Sequence, residues 1–216
     1  MAWEVRALRR WKRRPVIEVD GPGPGAARVA AGRAVARGAR WLCSWGSAGS
    51  LGDAASGDIV IADAILDPAG IRWVCDPDSA RQLLRLLADI APMHCGVVYS
   101  ADEPIAGVAA KRAIAERTGA LAVDMESAAV AGVAAQAGLP FAALRVIVDA
   151  ADRSVPSAAI AALDGPRPRG FRIARGLLES PGQIGPLIAL ARAAGRARRT
   201  LGVCARRLEI ESPRPS

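Results

Sequence analysis

Apolar and polar positions along the chain alternate between two periods. Short apolar runs of strand length are separated by Ala- and Leu-rich stretches of helical length, with Gly and Pro at the joins. The runs Val16–Val19, Trp41–Trp45, Asp58–Ala64, Gly96–Ser100, Ala120–Met125 and Phe141–Val148 predict strands, and Ile71–Val74 extends a hairpin. Between them, 26–37, 79–91, 109–117 and 127–136 predict helices. In the second of these Leu83, Leu84, Leu86, Leu87 and Ile90 form one apolar stripe. Gly138, with Pro140 just beyond, predicts the stop of the helix over 127–136. Strands alternating with helices predict an α/β domain with a mostly parallel twisted sheet. The central unit, Gly119 to Pro156, reads as strand, helix, strand, which predicts a parallel pair with a right-handed crossover.

That expectation carries chemistry. Glu126 sits where the first strand of the unit meets the helix, and Asp149 where the second strand ends. Ligands of open α/β sheets bind beyond the carboxyl ends of strands, so both carboxyl groups are expected at one crevice. An apolar rim of Val123, Met125, Val146 and Val148 would suit a general acid. Either residue has a plainer alternative: Asp149 capping the next turn, Glu126 capping the helix. The glycine-rich turn Gly21–Gly25 opens a helix and predicts an anion site, though its spacing is not that of dinucleotide-binding proteins. A tight turn without ligand is the alternative there. Gly46–Gly49 (GSAG) lets backbone approach a ligand closely. Asp63 and Asp67 read as turn or cap residues. His94, the single histidine, reads as a loop or partly buried residue.

Composition narrows the classes. With 216 residues, 51% of them hydrophobic, the chain can bury a core as one domain over 1–216. Aromatics make up only 4%, so Ala, Val and Leu must fill it. The net charge of +8 comes almost wholly from arginine; Lys12 and Lys111 are the two lysines. Dispersed arginines without interleaved aromatics or a nucleic-acid motif argue against nucleic acid as partner. A non-catalytic basic binding protein is nevertheless a second alternative. The four cysteines lack metal-ligand spacing and predict reduced core residues of a cytoplasmic protein, with no metal. The basic N-terminus lacks the apolar region of a signal peptide. After Asp152 prolines accumulate, and 181–210 predicts a basic C-terminal helical region. There Leu187, Leu190, Leu201 and Leu208 alternate with Arg192, Arg196, Arg199 and Arg206. Such a helix either lies on an anionic lipid surface or packs on the sheet with an arginine-rich outer face.

The segment VDMESAAVAGVAAQAGLPFAALRVIVDAAD (123–152) resembles the signature of the purine nucleoside phosphorylase and methylthioadenosine/S-adenosylhomocysteine nucleosidase superfamily. GSAG followed by GDIVIAD resembles its second landmark. The resemblance implies that Met125 and Glu126 bind ribose and that Asp149 protonates the leaving purine. It implies that Gly21, Gly23, Gly25 and Ser47 line the nucleophile or phosphate side. It puts Pro104, Ile105 and Val123 on the base side, with aliphatic contact replacing the family's aromatic stacking. MAWEV aligns with the family's Met-x-x-Glu-Val segment, which makes Glu4 the residue that orients attacking water. The family's first strand precedes that segment. Either the true start lies upstream of Met1, or the sheet lacks this edge strand.

LLESPGQIGPLIALARAAGRARRTL, ADEPIAGVAAKRAI and TGALAVDMES further resemble the hopanoid-associated phosphorylase branch. That resemblance implies release of adenine from adenosylhopane in hopanoid lipid biosynthesis, a substrate with a hydrophobic 5′ substituent. Methylthioadenosine/S-adenosylhomocysteine cleavage, or purine nucleoside phosphorolysis on a soluble substrate, is the first alternative. No cofactor is implied, and inorganic phosphate is the candidate co-substrate. The family resemblance also implies a homo-oligomer, and the basic tail suggests peripheral membrane contact.

Overall fold

A computed structural model describes residues 8, 18, 23–161, 182 and 184–211. Its elements are α1 (Pro24–Ala36), β1 (Leu42–Ser50), β2 (Ile59–Leu66), β3 (Arg72–Val74), α2 (Pro77–Leu87), β4 (Met93–Ser100) and α3 (Val108–Thr118). They continue with β5 (Ala122–Asp124), α4 (Ser127–Gln136), β6 (Phe141–Asp149), α5 (Ser157–Ala161) and α6 (Ile184–Glu211). Of the strand predicted over 16–19 only Glu18 is among the described residues, and Glu4 and Gly21 lie outside them.

Local chemistry sets several boundaries. Asp76 accepts the Ser79 amide at 2.8 Å and starts α2, with Pro77 in the first turn. Gly138 takes φ 62°, a left-handed conformation that ends α4 where the sequence predicts. β1 runs to Ser50, past its expected end at Trp45, so GSAG lies within the strand rather than in a loop. His94 likewise lies on β4 and holds Asp58 Oδ2 at 3.0 Å. Asp67 is a turn residue, accepting the Ile71 amide at 2.8 Å.

The sheet order is β3-β2-β4-β5-β1-β6, and a further β2–β6 pairing closes five of the strands into a ring. The long registers β1–β6 and β2–β4 are parallel. β1–β5, β2–β3 and β2–β6 are antiparallel, so the sheet is mixed. β5 runs antiparallel to β1, and β6 runs parallel to it. The two strands of the central unit therefore run in opposite directions, and the predicted parallel crossover does not form. Apolar alternation reports a strand but not its direction.

Alternate faces of the sheet receive different helices. Ala31 and Ala34 of α1 and Ala131 and Ala134 of α4 pack against Val60, Ala143 and Ile147. Leu83 and Leu87 of α2 and Ala197, Leu201 and Cys204 of α6 pack against Ile59, Leu144 and Val146. The buried ridge of α6 is thus Ala193, Ala197, Leu201, Cys204 and Ala205, small residues that let the helix approach closely. Most of α6 packs on the sheet with its arginines outward. Burial pushes the Cys75 and Cys204 thiols up to about 12, as expected for inert core cysteines, whereas Cys95 is exposed. Leu201→Ala should destabilise the protein by about 3 kcal/mol, the cost of a core cavity. Urea unfolding measures this, and a loss below about 1 kcal/mol would mean that α6 is not part of the core.

Candidate active site

β1 organises the candidate site. Gly49 is paired with Val123 of β5 on one side and with Asp149 of β6 on the other. A β-carbon on Gly49 would meet Asp149 Oδ2 at 3.1 Å and Oδ1 at 3.2 Å, so a larger residue here would push the carboxyl off the strand by a few tenths of an ångström. From Val123 the chain runs back along β1, and Ser127 Oγ reaches Ser44 Oγ at 3.3 Å. Glu126, between Asp124 and Ser127, therefore lies nearer the Ser44 end of β1 than Asp149 does.

What fixes β5 is a buried polar network. Arg145 of β6 and Asp124 of β5 are 2% and 1% exposed, and Arg145 Nε donates to Asp124 Oδ2 at 2.6 Å across β1. Arg145 Nη2 also donates to Ser44 Oγ at 2.5 Å and to Ser127 Oγ at 2.8 Å. Ser127 Oγ donates to Asp124 Oδ2 at 2.5 Å, and the Ser127 amide donates to Asp124 Oδ1 at 3.3 Å. Ser100 Oγ accepts the Ala128 amide at 3.1 Å. Asp124 and Ser100 thus cap α4, and Glu126 makes no capping bond. Its carboxylate instead accepts the Gly23 amide at 2.9 Å and, more weakly, the Met125 amide at 3.3 Å. The glycine-rich turn and Glu126 are brought together, though through a bond that occupies the turn's own amide.

The other predicted residues divide. Val123 and Ile105 pack with Leu51 and Tyr99, next to Pro104 in the 101–107 loop. Ser47 lies on β1 opposite Val146, and Gly25 is exposed in the first turn of α1. The expected apolar rim around Asp149 is not formed by Val146 and Val148, which pack with Leu144 towards α2 and α6. Lys111 of α3 stands beside Asp149 instead, its Nζ 2.5 Å from Oδ2. Sequence reasoning missed Lys111; the available signal was a lysine retained among arginines. A cavity of about 190 Å³ opens beside Met125, bounded by Pro24, Arg28, Trp73, Ser100, Ala128 and Gly132 among others. Among the described residues, no group of three or more His, Cys, Asp or Glu is arranged to hold a metal.

A family model described as "Phosphorylase superfamily" matches residues 3–165. The chain belongs to the phosphorylase superfamily. Among solved structures, it is similar to the 5′-methylthioadenosine/S-adenosylhomocysteine nucleosidase of Neisseria meningitidis in complex with methylthio-immucillin-A. That match has 20% identity and a TM-score of 0.68, over 99% of this chain and 96% of that one. The Helicobacter pylori nucleosidase of the same name, with butyl-thio-DADMe-Immucillin-A, is 17% identical with a TM-score of 0.66, over 95% and 94%. A structure from Weissella paramesenteroides, described as a candidate methylthioadenosine nucleosidase, is 22% identical with a TM-score of 0.61, over 89% and 78%. At these identities the likeness is one of fold. No curated protein matches.

Arg145→Met should cost about 3–5 kcal/mol, because it leaves Asp124 buried without its charge partner. The double variant Arg145→Met/Asp124→Leu should recover part of that loss in a urea-unfolding cycle. Strict additivity of the two changes would show that the pair is not coupled.

Proposed function

We propose that this protein hydrolyses the N-glycosidic bond of a purine nucleoside and releases adenine. One observation carries the reading: two carboxyl groups flank β1 from opposite sides, Asp149 against Gly49 on the β6 side and Glu126, which follows β5, bound to the Gly23 amide. Asp149 Oδ2 is bound by Lys111, while Oδ1 has no hydrogen-bond partner among the described residues and remains available to a purine nitrogen. Protonation there makes the base a better leaving group. Glu126, freed from capping, accepts hydrogen bonds from ribose hydroxyls and stabilises the positive charge that grows on the sugar. Met125 packs against the sugar.

Water rather than phosphate is favoured as nucleophile by the Gly23 amide. It lies at the start of α1, where an anion would bind, and it already donates to Glu126. The names of the similar nucleosidases agree with hydrolysis. A hydrophobic 5′ substituent, of which adenosylhopane is the instance implied by the sequence resemblance, is supported only by the Trp73, Ala128 and Gly132 part of the cavity beside Met125, whose lining also includes Arg28, Asp67, Asp102 and Gln136. Full-length protein in phosphate-free buffer should release adenine from methylthioadenosine, and added phosphate should not raise the rate. Asp149→Asn should lower it about 100-fold or more with the fold intact. Turnover near that of the wild type by this variant would remove the acid, and strict dependence on phosphate would make the reaction phosphorolysis.

A peripheral membrane contact is supported by the first turns of α6. Ile184 and Ile188 are each 48% exposed there, and Arg192, Arg196 and Arg199 follow on the exposed surface. No described helix is long and apolar enough to cross a membrane. Ile184→Glu/Ile188→Glu should reduce cosedimentation with phosphatidylserine vesicles without changing the melting temperature. Undiminished binding would exclude this contact.

A further inference from the structure

Lys111 is entirely buried, a costly place for an ammonium group. Its Nζ donates to Asp149 Oδ2 at 2.5 Å, to the Ala150 carbonyl at 2.9 Å and to the Arg153 carbonyl at 2.9 Å. Three acceptors match the three N–H bonds of an ammonium group. A methionine would fill the same space without a charge to desolvate, so packing alone does not account for a lysine. The contacts converge on the turn that leaves β6. The same turn is tied to the loop before α3 by the Val155 amide, which donates to the Ala106 carbonyl at 2.9 Å. Asp149 is thus held from two sides, by the bare backbone of Gly49 and by the lysine.

We propose that Lys111 is a positioning residue for Asp149, which fixes its carboxyl against Gly49 and balances the charge left when its proton departs. The inference rests on the nucleoside-cleavage reading given above. In that step the O–H bond of Asp149 breaks and an N–H bond forms on the purine, while the electron pair of the glycosidic bond stays with the base. The carboxylate that remains lies against an ammonium group, in surroundings where a charge pair interacts more strongly than in water. Solvent returns the proton to Asp149 after the base leaves.

The test uses full-length protein and methylthioadenosine. Lys111→Met should lower kcat about 30-fold while KM changes by less than about threefold, because the loss falls on the transition state. Ethylammonium added to Lys111→Ala should restore part of kcat, which a purely structural role would not allow. Lys111→Met/Asp149→Asn should be no slower than Asp149→Asn alone, since both changes disable one unit. If Lys111→Met does not fold, Lys111→Gln carries the same test, as it keeps a donor for the turn carbonyls without the charge. The proposal is overturned by kcat within about twofold of wild type, by multiplicative losses in the double variant, or by failure of both single variants to fold. A wild-type protein that releases no base from any purine nucleoside overturns the reading of the site itself; active wild type with indifferent Lys111 variants overturns this inference alone.

Discussion

The ion pair between Asp124 and Arg145 is the interaction on which the geometry of the molecule depends. β5 has only three residues, which meet β1 through two residue pairs and β4 through three, and the buried network adds to that short ladder. The guanidinium reaches across β1 from β6, and with Ser44 and Ser127 it fixes three strands and the start of α4 in one network. Both charges are almost wholly removed from water. The pair is therefore an expensive feature that is tolerated because its hydrogen bonds are satisfied. Its return is positional: with Asp124 capping α4, the neighbouring Glu126 turns towards the glycine-rich turn.

Much of this was legible in the sequence where local rules decide. The apolar run Phe141–Val148 forms β6, Gly138 ends α4, and Leu83 and Leu87 face the core. The segment Val123–Asp152 forms β5, α4 and β6 as expected, but β5 and β6 run in opposite directions, so the shared carboxyl edge expected for Glu126 and Asp149 is not formed. Periodicity carries no information on strand direction, so an antiparallel return along β1 could pass for a crossover. β1 also continued through GSAG because its pairing with β6 stabilises glycines that favour a loop in isolation. Burial of a polar side chain is a tertiary fact, and for that reason the sequence singled out Lys111 only as one of two lysines. On α6 the sequence reading was right for Leu201 and Leu208, which pack on the sheet, but it passed over Ala193 and Ala197, which are buried beside them.

The site joins two kinds of support. On the β5 flank, the backbone amides of Gly23 and Met125 orient the Glu126 carboxylate. On the β6 flank, a single lysine does the orienting. The strand between them contributes mostly the absence of side chains, at Gly46 and Gly49. In the proposed reaction, such a division would let one carboxyl group grip hydroxyls while the other handles a proton, each set by its own neighbours.

The pairing of β2 with β6 has a consequence for how the chain is made. Residues 59–61 find their partners at 144–146, so the ring waits for a segment that leaves the ribosome much later. Until then β2 shows a bare, strongly apolar edge, a template for unwanted strand addition by other chains. Once closure occurs, β3 is left as the sheet's outer strand, only three residues long and bearing Arg72, a poor platform for intermolecular stacking. Late closure thus exchanges vulnerability during synthesis for a finished protein with little edge left to recruit a neighbour.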